Sequence, residues 1–388
     1  MSRQKVVDSM ITGTISASKL DGALPAINGA NLTGVGDGVL KGGNDPAIDT
    51  NPAAGVGAVW LNTSSGEMFV CTDATTDANV WTNVGGGVDG VAPASWYGNT
   101  GIVQGGSTAN NNHYVTDISS WNITTLGNAS DWGFDNTQGR RHGVSMSDAS
   151  RIVSMGGIWG WSTFYNTIDY ITVASAANAQ SFGNAIRSDA AFGGASDGVR
   201  GVAAGDYASS GDIQYVTIQT PGNAIDFGAN LVVAGYQMSG QSNGTRGVFC
   251  GGLRTGSSTK MDYVTIQTAG TCTEFGDVAE YNTAACVGNT SDGTRGVILD
   301  CAENSPHRHQ YITIATLGNA QIFGDRGRLG YGGTSAGNGI RAVEMGGWVP
   351  GNVHTNAMDY VTIQTLGNAQ TFGNLDRNCG TGWGSSGN

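Results

Sequence analysis

The stretch Asp359–Gly373, DYVTIQTLGNAQTFG, decides the reading of this chain, because the chain repeats it. Gln310–Gly324 reads QYITIATLGNAQIFG and Gln214–Gly228 reads QYVTIQTPGNAIDFG. Close relatives stand at Asp262–Gly276 (DYVTIQTAGTCTEFG) and Asp169–Gly183 (DYITVASAANAQSFG), with a worn copy, SWNITTLGNASDWGF, at Ser120–Phe134. Counted on the Tyr position (Ser120, Tyr170, Tyr215, Tyr263, Tyr311, Tyr360), the steps are 50, 45, 48, 48 and 49 residues. A fixed period of this length in strand-like sequence predicts a propeller or another repeat array.

One unit, Leu231 to Gly276, contains the signals of four short strands. LVVAGYQMS reads as the first, and Ser242 to Arg246 is a turn with Asn-Gly at its centre. Gly247 to Cys250 is a short apolar strand ending in the pair Gly251-Gly252. After a variable loop, Asp262 to Ile266 alternates and is β-branched, and Thr273 to Gly276 closes the unit. Four antiparallel strands per unit describe a propeller blade. The turn before the second strand ends in Arg151, Arg200, Arg246, Arg295 and Arg341. Five equivalent arginines suit a bracing role, on carbonyls or on the Asp/Gln before the Tyr of an adjacent strand, better than a ligand site. Double glycines follow at Gly156-Gly157 and Gly346-Gly347, with looser versions at Ala204-Gly205 and Asp300-Cys301. Glycine is required where a strand end crowds its neighbours or takes positive φ.

The two ends of the repeat region complete each other. Gly382 to Asn388 looks like a first strand running into its turn, and its continuation stands at Gly98 to Gly106, with Gly101 in the place of the Arg. Splicing them gives a sixth unit and hides strand edges that would otherwise template aggregation. The expected fold is therefore all-β: a six-bladed β-propeller of four-stranded blades over 93–388, closed by the C-terminal strand. The double glycine, the Tyr strand and the aromatic of the fourth strand resemble the kelch repeat over about 290 residues, although Phe-Gly stands where kelch repeats usually carry Trp. That resemblance implies a kelch-like propeller and no particular activity.

Glycine accounts for 64 of 388 residues, about twice its usual share, and charged residues for 12%, about half theirs. Tight turns explain the glycine, since β-formers are abundant and periodic. The net charge of −12 argues against nucleic acid as a partner. No apolar run approaches the ~20 residues of a membrane span, so no membrane insertion is expected. Met1 to Met10 lacks the plan of a signal peptide, so ordinary secretion is not the expected route outward. Cys71, Cys250, Cys272, Cys286, Cys301 and Cys379 have no paired spacing and read as free structural thiols of a protein folded in a reducing cytoplasm.

Residues 1–92 lie outside the repeat. Positions 1–57 read as an extended, Gly-rich segment whose part from Gly36 to Gly57 is a linker or meandering loop. Positions 58–92 read as a hairpin from Ala58 to Cys71 turning at Ser64 to Gly66, a third strand at Asn79 to Val84 and a Gly-rich joint. So small a segment is expected to gain stability by oligomerising or docking. ASKLDGALPAINGANLTGV (Ala17 to Val35) and AVWLNTSSGEMFVCTDATTDANVWTNVG (Ala58 to Gly85) resemble segments of bacteriophage tail-fibre and related virion proteins over roughly 50 residues. The resemblance implies a virion appendage, assembled in the bacterial cytoplasm, whose N-terminal region attaches to other virion proteins, usually as a trimer.

Catalytic patterns are missing: there is no phosphate-cradling loop, GxSxG elbow, HExxH or zinc-spaced cysteine pair. No cofactor, metal or catalytic residue is expected. The dense titratable group is His307-Arg308-His309, with His354 and His113 in the matching loops of the next two units. A metal or proton-transfer site there competes with the plainer reading of exposed loop histidines. The loop after the second strand also carries Trp159, Trp161 and Tyr165 in one unit, Tyr207 in another and Trp348 in a third. The candidate ligand-binding face is therefore Trp159, Trp161, Tyr165, Tyr207, His307, His309, Trp348 and His354. Exposed rings beside Asn, Ser and Thr suit glycan. Plugging of the central channel, packing between blades and a protein interface are alternatives. Three functions follow: a non-enzymatic fibre or appendage protein recognising host-surface glycan, a structural decoration binding virion proteins alone, or a polysaccharide-cleaving enzyme. The last lacks a recognisable carboxylate pair.

Overall fold

The computed structural model describes residues 39–64, 68–85, 96–108, 114–208, 210–254, 259–279, 290–299, 308–351 and 353–388. The chain divides into two compact units, Met1–Ala92 and Pro93–Asn388. All regular structure among the described residues is β.

In the first unit, Val59–Asn62, Met68–Asp73 and Val80–Gly85 form the expected meander. A fourth strand, Val39–Gly42, pairs in parallel with Val59–Asn62, inside the stretch expected to be a linker. Four residues without alternation carry no strand signal; pairing to an available edge makes this one. Trp60 and Trp81 meet edge-on, with ring centroids 6.3 Å apart. The expected turn at 64–66 lies largely outside the described residues, as does the quoted segment 17–35.

Among the described residues the second unit holds six antiparallel sheets of three or four strands, numbered I to VI, and three two-stranded ribbons in their connections. Sheet I is ordered Trp383–Gly387, Thr100–Gln104, Asp117–Asn122, Ser130–Asp135. Sheet II runs Val144–Ser147, Arg151–Met155, Thr167–Thr172, Gln180–Asn184, and sheet III runs Gly193–Ser196, Arg200–Ala204, Asp212–Thr217, Ile225–Asn230. Sheet IV runs Ser239–Ser242, Arg246–Cys250, Lys260–Thr265, Cys272–Asp277. Sheet V has Arg295–Ile298, Arg308–Thr313 and Gln321–Asp325 among the described residues, with Ser291 bridging Gly296 ahead of them. Sheet VI runs Thr334–Gly337, Arg341–Met345, Ala357–Thr362, Gln370–Asn374.

Two details differ from the expectation. LVVAGYQMS is mostly connection: the ladder strand is Ser239–Ser242, while Leu231 packs in the core and Gly235-Tyr236 pairs with Leu253-Arg254. The first strands pack so closely that a side chain on Gly240 would overlap the backbone of Gly194, so small residues displace better β-formers there. In sheet I, Thr100, not Gly101, occupies the Arg position. Thr100 pairs with Asn122 as Arg151 pairs with Thr172, and the indole of Trp121 fills the space beside Gly101.

The core is shared between consecutive sheets. Val153, Met155 and Phe182 of II meet Val216 and Ile218 of III; Phe227 of III meets Phe249 and Ile266 of IV. Phe275 of IV meets Ile312 and Ile314 of V, and Phe323 of V meets Val361 and Ile363 of VI. Met345, Met358 and Phe372 of VI meet Val103, Trp121 and Ile123 of I, and Ile102 and Ile118 of I meet Ile152 and Ile171 of II.

Repeating polar joints register these contacts. The Asx side chain of each turn accepts from the Arg amide, as Asn243 does from Arg246 at 2.7 Å, fixing where the second strand starts. The Arg lies over its own sheet's Tyr (4.3 Å for Arg246 and Tyr263) and donates to an Ile carbonyl of the next sheet. These bonds are Arg151 to Ile218, Arg200 to Ile266, Arg246 to Ile314, Arg295 to Ile363 and Arg341 to Ile123, all between 2.8 and 3.1 Å. The expected bracing role thus takes the form of a carbonyl bond between sheets. At the outer strands, the Asn of the Gly-Asn-Ala turn accepts a backbone N–H from the preceding sheet: Asn223 from Asn184, Asn319 from Asp277, Asn368 from Asp325 and Asn128 from Asn374. Along the first strands, Ser196 Oγ donates to Ser147 O and Ser147 Oγ to Ser386 O, at 2.7 and 2.8 Å.

Candidate functional site

Within each sheet the tight turns lie at one end of the third strand and the long connections at the other. The turn end recurs from sheet to sheet, and grooves of about 120 and 320 Å³ at Tyr360–Gln370 and Phe275–Gln321 fall at equivalent places beside two Gly-Asn-Ala turns. Repetition makes them architecture. The connection end is individual, and there the exposed aromatic surface lies.

In sheet II the connection after the second strand is a short ribbon in which Ile158-Trp159 pairs with Thr163-Phe164. Gly160, at φ +64°, bends its tip, a conformation that disfavours a side chain. The ribbon holds Trp161 out at 70% exposure and Trp159 at 45%. Trp159 rests on Tyr114 of the sheet I connection, centroids 5.2 Å apart. Beneath Trp161, 4.0 Å from its ring, lies the guanidinium of Arg141, which also faces Tyr114 at 5.3 Å. Arg141 Nη2 and Tyr114 Oη both donate to Gly160 O, each at 3.3 Å.

A second group joins sheets II, III and IV. Tyr207, 48% exposed, packs on Phe164 (5.6 Å) and Tyr236 (4.9 Å). Its loop is set by Asp189, which accepts from the amides of Ala190 and Tyr207 at 2.7 and 2.9 Å. Burial raises the Asp189 carboxyl above the usual carboxylate range despite those bonds. In a third group Trp348, half-buried, stacks on Tyr331 at 5.3 Å with rings 13° apart and meets His354 edge-on at 4.7 Å.

The candidate residues therefore divide. Trp159 and Trp161 are both exposed on the one ribbon, and Tyr207 is beside it through Phe164. Tyr165 is half-buried, and its amide bonds Gly157 O at 2.9 Å. His307 and His113 lie outside the described residues. The histidines that are described are not exposed loop residues. His354 is 5% exposed, with Nε2 3.4 Å from Ser107 Oγ, and burial lowers its pKa. His309 is fully buried and belongs to the third strand of sheet V, where it sits 3.9 Å from the Glu344 carboxylate. Strand alternation places it inward, a consequence legible only once the strand is known to begin at Arg308. The two histidines belong to separate groups, and the described residues contain no cluster able to hold a metal ion.

Sequence reasoning missed the residues that organise this end. Arg140 pairs with Asp169 at 3.0 Å, both fully buried. Arg326 and Arg328 converge on Glu344 at 2.8 and 3.1 Å, and Arg328 continues to Asp359 at 2.6 Å. Single arginines in irregular connections carry no periodic signal. Among the described cysteines Cys71 and Cys379 are free thiols, while Cys286 and Cys301 lie outside the described residues. Comparison with protein-family models and with the curated proteins gives no match.

Proposed function

We propose that the six sheets are the blades of a kelch-like β-propeller, and that the chain is a bacteriophage virion appendage whose propeller recognises a host-surface glycan. The blade reading is supported by the core: sheet VI packs against sheet I as sheet I packs against sheet II, and Trp383–Gly387 pairs with Thr100–Gln104. The appendage reading rests on the resemblance of Ala17 to Val35 and Ala58 to Gly85 to tail-fibre segments. Attachment to other virion proteins through that region, trimeric assembly and a virion location belong to the same proposal.

The observation that carries glycan recognition is the exposed set Trp159, Trp161 and Tyr207 at the individual end of the sheets. Indole and phenol faces stack on sugar C–H surfaces, and weak single contacts gain strength from copy number. The test is binding of the full-length protein to host cells and extracted host polysaccharide. Binding that falls on mutation of Trp159 and Trp161 supports the reading. A particle reconstruction with these rings buried against virion neighbours would replace it with a structural decoration role, and release of oligosaccharides would make the protein an enzyme.

A further inference from the structure

We propose that Arg141, under the Trp161 indole, is the anchor of a subsite for carboxylate-bearing sugars. The inference rests on the glycan reading above and narrows it to acidic glycans.

Arg141 is an unusual cation. It is 3% exposed, yet no carboxylate among the described residues lies within ion-pair distance of it. The other two fully buried arginines described behave differently: Arg140 meets Asp169 at 3.0 Å and Arg326 meets Glu344 at 2.8 Å. Buried charges are ordinarily paired, since an uncompensated one is costly. Around Arg141 the compensation is aromatic: Trp161 at 4.0 Å, Tyr114 at 5.3 Å, and one carbonyl, Gly160 O, at 3.3 Å. Nε has no hydrogen-bond partner. The guanidinium thus keeps unused donors in a place dry enough for them to matter.

The cover is movable by construction. Trp161 stands at the tip of a two-residue ribbon, 70% exposed, held over Arg141 by one ring face. Swinging the indole aside opens the guanidinium to solvent without disturbing Ile158, which anchors the ribbon in the core. A carboxylate matches the guanidinium fork in two parallel bonds, and the sugar ring bearing it offers C–H faces to Trp161 and Trp159. Burial lowers the pKa of His354 in the sheet VI connection and the charge of Arg141 adds to that, while burial lowers that of Arg141 itself. With the chain at net −12, an isolated cation among rings selects an anion held at short range over polyanions at large.

The experiment uses the full-length protein on an array of glucuronate-, galacturonate- and sialate-bearing oligosaccharides, each paired with its carboxyl-reduced form, plus a glycerol-phosphate polymer. Hits are followed by calorimetry and tryptophan fluorescence. An acidic oligosaccharide is expected to bind at least about tenfold more tightly than its reduced form, the worth of a charged hydrogen-bonded pair. Arg141→Gln should remove that difference, and Arg141→Lys should restore part of it. Trp161→Ala should weaken acidic and reduced forms alike and abolish the fluorescence change. Arg141→Gln gives up one carbonyl bond and two ring contacts while relieving a buried charge, so binding is read at a temperature where the variant is folded. Equal loss of affinity for acidic and reduced forms marks a structural arginine and overturns the proposal. Equal binding of both forms, or binding of the phosphate polymer alone, overturns this proposal and leaves glycan recognition standing. Binding to nothing on the array overturns both.

Discussion

Gly183 of sheet II lies against the carbonyl of Gly222 in sheet III, so closely that a side chain on Gly183 would overlap it. The same approach joins Gly276 to Gly318, Gly324 to Gly367 and Gly373 to Gly127. The Phe-Gly and Gly-Asn-Ala phrases are thus two halves of one joint, each half supplied by a different repeat.

The asymmetry of that pair gives a direct test. Gly183→Ala should destabilise by about 1–3 kcal/mol, the cost of overpacking a close approach. Gly222→Ala, which points into open space, should stay within about 0.5 kcal/mol of the parent. Urea unfolding of the two single variants measures both; equal losses would deny that backbone approach is what the glycine serves.

Arg246 donates to Ile314 O at 2.8 Å while lying 4.3 Å from the Tyr263 ring. Arg246→Ala should cost about 2–3 kcal/mol, because it removes a charge-assisted hydrogen bond and a cation–π interaction at once. Arg246→Lys keeps the charge and gives up the planar stacking, so chemical denaturation should place it between the two.

Trp383 is fully buried, and its Nε1 donates to Ser154 Oγ at 3.0 Å. Replacing it with Ala should cost about 3–5 kcal/mol. Deleting residues 383–388 should be worse in kind, because it bares Thr100–Gln104 as an open edge. Size-exclusion chromatography should show the truncated chain in larger assemblies than the parent; parental elution with the parental melting temperature would contradict the pairing.

Acid should unfold the protein through the Glu344 cluster. Burial raises the Glu344 carboxyl, but Arg326 and Arg328 outweigh it and hold it at about 2, below its ordinary 4.5. Burial, helped by the same guanidiniums, lowers His309 from 6.5 to about 4 against the pull of Glu344. Both groups bind protons more weakly folded than unfolded. Their contribution is therefore complete above pH 6.5, falls through 6.5 to 4 as His309 resists protonation, and falls again from 4.5 to 2 with Glu344. Each step is worth on the order of 3 kcal/mol. In melting temperature against pH, His309→Asn should flatten the upper window and leave the lower one in place.

The second and third strands of the sheets were legible in the sequence alone, because the elements that define them are local. The alternation of Asp-Tyr-Val-Thr-Ile and the Asx-Gly turn before each Arg act within a few residues, and a period near 48 repeats them until the pattern is unmistakable. Legible too was the pairing of Trp383–Gly387 with Thr100–Gln104, since each half lacks what the other carries. The sequence reading set the register one residue off at Gly101, because Thr100 in the Arg position is recognisable only from its partner Asn122.

Folding in three dimensions governs everything that depends on which repeat stands beside which. His309 is inward-facing because its strand packs against Glu344, although neighbouring letters suggest an open loop. Val39–Gly42 is a strand because an edge was available to it. Arg141 and Trp161, adjacent in space and 20 positions apart in sequence, meet through the ribbon of one sheet and the connection from another. Periodicity reports the forces a residue shares with its copies. The residues of the candidate site are those that break the pattern, so their partners emerge only when the chain is folded.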